Sequence, residues 1–334
     1  MVLPPGGPAA RWSYADRVSR SLAVKAGVPA TPSPGTRPRR IVLANLVLQS
    51  AIVLTGGLVR LTGSGLGCTT WPECVPGSYT PVAHQPQGWH TYVEFGNRLA
   101  TGALIAVGTA TFVLVRRHLR ETGTRSPMLM RLAAAPLLGV VAQVVIGGVT
   151  VLSGLRPGLV AAHFLLSMVL VAAATALVLL LRPAAPGHRP DHPEIRLLVR
   201  AMVISSAIVL VLGTVVTGSG PHSGDAEHPA RFGFDPRTVS WLHADAVLLF
   251  TGLVAALTIA LRLVEAPLRA QKSAVQLLGV IVLQGFIGYL QYAIGLPIGV
   301  VVLHLLGTVL VTAGTTALAV ETLRRRPDGA PGGE

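Results

Sequence analysis

Long apolar stretches alternate with short polar connections along the whole chain. Eight of the apolar stretches run about 20 residues or more, enough to cross a bilayer as helices. They fall at 41–61, 91–115, 132–152, 158–181, 197–217, 239–261, 273–294 and 298–322. The pattern predicts an all-α polytopic membrane protein with eight transmembrane helices.

The polar connections alternate in charge. Arg11, Arg17, Arg20, Lys25, Arg37, Arg39 and Arg40 precede the first span, and Arg116, Arg117, Arg120, Arg125 and Arg131 follow the second. Arg182, Arg189, Arg196 and Arg200 follow the fourth, Arg262, Arg269 and Lys272 the sixth, and Arg324, Arg325 and Arg326 the eighth. These connections hold 22 of the 27 basic residues, so the positive-inside bias expects both termini in the cytoplasm. Connections 62–90 and 218–238 are then expected outside. The net charge of +13 is spent on topology, which argues against a nucleic-acid partner.

Composition agrees with this. Charged residues make up 12% of the chain, hydrophobic residues 51%, and mean hydropathy is +0.61. A soluble chain would carry roughly twice that charge fraction. The first forty residues are rich in Pro, Gly, Arg and Ala without an apolar core beside a cleavage site, which reads as a disordered cytoplasmic tail and not a signal peptide.

The chain also repeats itself. Ser50–Leu54 (SAIVL) recurs as Ser206–Leu210, and Thr62–Gly65 (TGSG) as Thr217–Gly220. The stretch from Pro136 to Gly148 resembles that from Gln276 to Tyr289, with Gln143 on Gln284 and Gly147 on Gly288. Four spans per copy give both copies the same orientation, about a pseudo-twofold axis along the membrane normal. The expected architecture is two pseudo-symmetric four-helix bundles, 41–182 and 197–323. Cytoplasmic segments 1–40, 183–196 and 324–334 flank and join them.

The chemistry lies in polar residues within the spans. Glu94, Asn97 and Arg98 open the second span, where an acid and a guanidinium are costly unless paired or functional. Of ten histidines, only His163, His243 and His304 fall inside spans. The repeat superposes His163 on His304, and His243 falls where the first copy has Asn97. His163 sits about 8 Å below the start of its span, so the set is expected in the outer third of the membrane. Two neutral imidazoles facing each other across the second bundle suit the axial positions of a low-spin haem iron. Zinc is disfavoured, since no closely spaced His or further Cys completes a tetrahedral set. Cys68 and Cys74 share one outer loop, where an oxidising compartment favours a disulfide. His222, Asp225 and His228 in the second outer loop are a weaker candidate for a surface metal or propionate site.

Taken together, these residues resemble the haem A synthase family. The likeness covers about residues 41–323. It rests on the stretch from Gly56 through Arg60 to Gly65, the Cys68/Cys74 loop with Trp71 and Pro72, the run from Glu94 to Arg98, and the three histidines. The resemblance implies a plasma-membrane oxidoreductase, its active face outside, that oxidises the methyl group of haem O to a formyl for cytochrome oxidase. It implies a haem b cofactor held by His243 and His304, and haem O in the first bundle with His163 nearest its iron. Glu94 would act at the methyl, beside Asn97 and Arg98. Arg98, Arg60, Arg231 and Arg237 could bind haem propionates, while Arg60 and Arg98 equally suit interfacial anchoring. Partners implied are haem O synthase (a farnesyltransferase), the cytochrome oxidase assembly system, membrane lipid, and a quinone as candidate electron acceptor. Asn97 departs from the family, many of whose members carry histidine there. Two other classes compete: a bis-histidine cytochrome passing electrons from quinol to an external acceptor, and a transporter built on parallel repeats.

Overall fold

The computed structural model describes residues 36–182, 192–225 and 227–324. Most of the two expected terminal tails and of the connection 183–196 therefore lie outside the described residues. The eight expected spans are eight helices: α1 Thr36–Leu61, α2 Trp89–Glu121, α3 Pro127–Leu152, α4 Pro157–Leu180, α5 Pro193–Ser219, α6 Pro236–Leu263, α7 Leu268–Ala293 and α8 Ile298–Leu323. Each is long and apolar enough to cross a membrane. No strand forms among the described residues. The helices outrun the apolar stretches because polar flanks continue the backbone ladder: α2 extends to Glu121, beyond residue 115.

Starts and turns follow local chemistry. Proline stands at the first position of α3 to α6, where its missing N–H is no loss. Asp235 caps α6, its Oδ2 accepting from the Thr238 N–H at 2.8 Å. The turn before α4 and the turn before α8 share a Gly-Leu pair. Gly154–Leu155 and Gly295–Leu296 are 141 positions apart, and all four residues have positive φ.

Helices α1 to α4 form one ring of neighbours, α1–α2–α3–α4–α1, and α5 to α8 form another, α5–α6–α7–α8–α5. Within each ring the diagonal pairs, α2 with α4 and α6 with α8, make no extended contact. The rings join where α4 and α1 pack on α8 and α4 packs on α5. Val53, Met168, Val171 and Val309 are buried there, and Leu305 lies over Gly57.

Each ring has a closely packed apolar core toward the end away from the two long connections. In the second ring, Ile195, Val199, Met202, Phe250, Val254, Leu257, Leu277, Ile281 and Leu318 form a single core. Toward the end carrying the two long connections, the loop end, that core stops. Nothing is buried on α6 between Val239 and Phe250, on α7 past Ile281, or on α8 before Gly307. In the first ring, α4 buries nothing before Met168, and α2 nothing between Glu94 and Leu104.

Candidate functional site

The histidines stand in the loosely packed parts of the two rings. His243 on α6 and His304 on α8 belong to diagonal helices of the second ring. His163 is on α4, diagonal to the α2 helix that carries Asn97. Neighbouring helices pack about 8–10 Å apart, so a diagonal spans roughly 11–14 Å, room for two side chains and a group between them.

All three imidazoles are set in the same way. A glycine of the preceding helix faces each ring edge. A Cβ on Gly147 would stand 3.2 Å from His163 Cε1, and one on Gly213 or Gly288 would stand 3.3 Å from Cε1 of His243 or His304. At the fourth place a Cβ on Gly56 would meet Asn97 Nδ2 at 3.9 Å. Nε2, the next ring atom after Cε1, stands more than 4 Å from the Cβ position of the facing glycine in each imidazole. The Nδ1 atoms of all three are buried and outside hydrogen-bond geometry, with the Val209 carbonyl near that of His243.

Glutamines fix the backbone beneath two of these rings. Gln143 Nε2 donates to the His163 carbonyl at 3.1 Å and to Ser167 Oγ at 2.6 Å. Gln284 Nε2 donates to the His304 carbonyl at 2.7 Å and reaches Thr308 Oγ1 at 3.4 Å.

This arrangement fits a haem iron better than a bare metal ion. Two half-buried imidazoles stand on diagonal helices around an unpacked, glycine-walled space. No group of three or more His, Cys, Asp or Glu side chains that could hold a metal ion occurs among the described residues. The weak candidate in the second outer loop does not come together as a metal site. His222 Nε2 bonds the Leu296 carbonyl at 3.0 Å, while Asp225 Oδ1 accepts the N–H groups of Glu227 and His228.

Glu94 and Arg98 form a buried pair one helical turn apart, Arg98 Nη2 to Glu94 Oε1 at 2.6 Å. The second carboxylate oxygen accepts the Cys68 N–H at 2.8 Å. Arg98 also donates to the carbonyls of Thr70 and Glu73. Cys68 and Cys74 are disulfide-bonded, and both are fully buried. The pair thereby fastens the disulfide loop onto α2. The far side of the loop rests on α3, where a Cβ on Gly148 would stand 2.5 Å from Trp71 Cδ2. The loop thus crosses the mouth of the first ring from α2 to α3.

Of the arginines considered for propionates, Arg98 is engaged in this fastening, and Arg60 Nη2 donates to the Thr217 carbonyl at 2.7 Å, tying α1 to α5. Arg231 reaches the Pro221 carbonyl at 3.3 Å. The glycine wall, the Trp71–Gly148 contact and the Ser64–His90 hydrogen bond of 2.8 Å are parts of the site region that the sequence reading did not assign. The recurrence of a glycine four residues after a glutamine at 143/147 and 284/288 was the available signal for the first of these.

Comparison with known proteins points the same way. The heme A synthase of Geobacillus kaustophilus (strain HTA426) is 33% identical over 143 residues, 42% of this chain and 42% of that one. That of Bacillus cereus (strain AH187) is 34% identical over 139 residues, 40% of this chain and 41% of the relative. That of Geobacillus thermodenitrificans is 31% identical over 118 residues, 35% and 34% respectively. Each aligned stretch thus spans less than half of the relative's length. A family model described as cytochrome oxidase assembly protein matches residues 39–315. That match takes in all three histidines, the disulfide loop and nearly all of the eight helices, and the chain belongs to the cytochrome oxidase assembly protein family.

Proposed function

We propose that the protein is a haem A synthase: an oxidoreductase that converts the methyl group of haem O to a formyl, giving haem A for cytochrome oxidase. The observation that carries this reading is the loss of close packing around His243 and His304 on diagonal helices, repeated around His163 and Asn97. The names of the relatives supply the reaction class.

In this reading His243 and His304 would hold haem b, which would supply one-electron redox chemistry between the substrate and an external acceptor, with water supplying the formyl oxygen. Gly213 and Gly288 leave room for the ring edges that face them. Gln284 fixes the carbonyl of His304 and so the height of its side chain. The first bundle takes haem O, with His163 as the protein ligand for its iron. Asn97 is a poor iron ligand, and its Oδ1 already accepts a hydrogen bond from Thr55 Oγ1 at 2.7 Å. That leaves the amide NH2 to donate to a substrate group or a water.

Glu94 is the buried carboxylate at the mouth of this bundle. Its oxygens are held by Arg98 and the Cys68 N–H. Acting as a base at the methyl would require one of these bonds to open, and Arg98 would then stabilise the anion. The positive-inside pattern supports an extracytoplasmic mouth, disulfide loop and active face, which on this reading belong to the plasma membrane. A pseudo-twofold axis relating the two bundles accounts for the matched turns, glutamines and glycines.

The test is pigment extraction from a strain lacking the gene. Haem A should disappear and haem O accumulate, with both restored by the intact gene. Unchanged haem A in the deletion strain would overturn the reading.

A further inference from the structure

We propose that the seam between α1 and α2 is a lateral port through which the haem substrate enters the first bundle directly from the bilayer. The proposal rests on the reading that this bundle takes a haem, and it adds the route and the gate. A cavity of about 260 Å³ lies at this seam, lined by Thr55, Leu58, Val93, Gly96, Asn97 and Ala100. Thr55, Leu58 and Gly96 are exposed, and the other three are half-buried. On α2 these residues run along the border between the buried face (Leu104, Gly108, Thr111) and the exposed face (Tyr92, Leu99). The opening therefore gives onto lipid, and its inner end is Asn97.

Asn97 occupies the place that His243 holds in the second bundle, so the cavity joins the membrane to the candidate ligand position. Its wall is apolar except for the Thr55 hydroxyl and the Asn97 amide, which bond each other at 2.7 Å across the seam. That single bond is the latch. Thr55 falls on Val211 by the SAIVL match and on Leu212 by the facing glycines, and neither side chain has a hydroxyl, so the second bundle lacks the latch at the seam where His243 packs on Gly213. A permanently held cofactor needs no such gate, whereas a substrate that must enter and leave does.

The occupant is a flat, apolar, membrane-dissolved tetrapyrrole arriving edge first. The cavity is too small for the whole ring, so passage requires α1 and α2 to part, and the latch sets how readily they do. Gly96 keeps the groove open: a Cβ there would meet nothing within 4 Å. A larger residue at 96 is accommodated by the fold and fills the port.

The experiment uses the full chain carrying haem b in lipid nanodiscs, with haem O added to the bilayer and uptake followed by absorption. The haem b spectrum reports that the second bundle is intact, and extraction of product reports conversion. Gly96→Phe should slow haem O uptake about tenfold with the haem b spectrum unchanged, as expected when binding must wait for a helix rearrangement. Gly96→Ala should take up haem O at close to the parent rate, and Thr55→Val should not slow it. Equal uptake by Gly96→Phe and the parent protein would overturn the port, as would a Gly96→Ala variant as slow as Gly96→Phe. A parent protein that takes up haem O without converting it would overturn the proposed activity and leave the port to be judged by the uptake rates.

Discussion

Gln284 donates a 2.7 Å hydrogen bond to the backbone carbonyl of His304, and Gln143 makes the same bond to His163 from the preceding helix of the other bundle. A side-chain amide spent on a backbone carbonyl within a helix is unusual, since that carbonyl already serves the helix ladder. Its effect is to fix the height of the α8 histidine against α7. Gln284→Leu should remove this bond at a cost of about 1 kcal/mol, weakening haem b retention roughly fivefold. Haem b content after gel filtration checks this, with Gln143→Leu expected to leave it unchanged.

The glycines facing the rings make a sharper prediction. A valine at Gly213 or Gly288 places a branched side chain where the imidazole edge now lies, 3.3 Å from the position of a bare Cβ. Either substitution should strip haem b from the protein, because a ring turned by tens of degrees no longer presents Nε2 to the iron. Gly147→Val should spare haem b and abolish conversion of haem O, because it acts on His163 alone. Difference absorption spectra of the three purified variants separate these outcomes.

Removing one member of the Glu94–Arg98 pair should be worse than removing both. Arg98→Leu leaves a carboxylate that is 7% exposed without its counter-charge, at about 3 kcal/mol or more. The double variant Glu94→Gln, Arg98→Leu keeps an acceptor for the Cys68 N–H and should recover part of that loss. Thermal unfolding of the single and double variants measures the coupling. A catalytic role for Glu94 predicts in addition that Glu94→Gln stops turnover while haem b remains bound.

The Cys68–Cys74 bond closes a short loop, so its loss should cost about 2 kcal/mol. The loop would remain tied at Cys68, Thr70 and Glu73 by Glu94 and Arg98, and reduction should therefore loosen the stretch beyond Glu73 first. Hydrogen exchange in 70–78 with and without reductant tests this order.

Asp235 gives the chain a pH dependence outside the membrane. Hydrogen bonds from the Thr238 hydroxyl and N–H hold its carboxyl below the usual carboxylate range. A depressed pKa means the cap contributes fully above the ordinary carboxylate value and is lost as pH falls through its own lower value. The first turn of α6 should therefore fray under acid, and Asp235→Asn should remove that pH dependence. Amide exchange at 236–240 across this range measures it.

Much of this protein was legible without coordinates. Hydrophobic length alone located all eight helices, because a chain segment crossing hydrocarbon must satisfy every backbone group within itself. Repetition of short motifs brought His163 and His304 into register, and the shared turns at Leu155 and Leu296 match that register. Charge runs gave the expected orientation. Contacts decided the rest. The order of residues repeats Gln143/Gly147 as Gln284/Gly288, but it does not show that close packing ends below the histidines or that these glycines and Gly213 stand against imidazoles. These depend on how helices far apart in sequence meet. The pairing of Glu94 with Arg98 is visible in their spacing, but its second use is not. Only the folded loop brings Cys68 and Thr70 to them, and the same fold brings the Thr55 hydroxyl to Asn97.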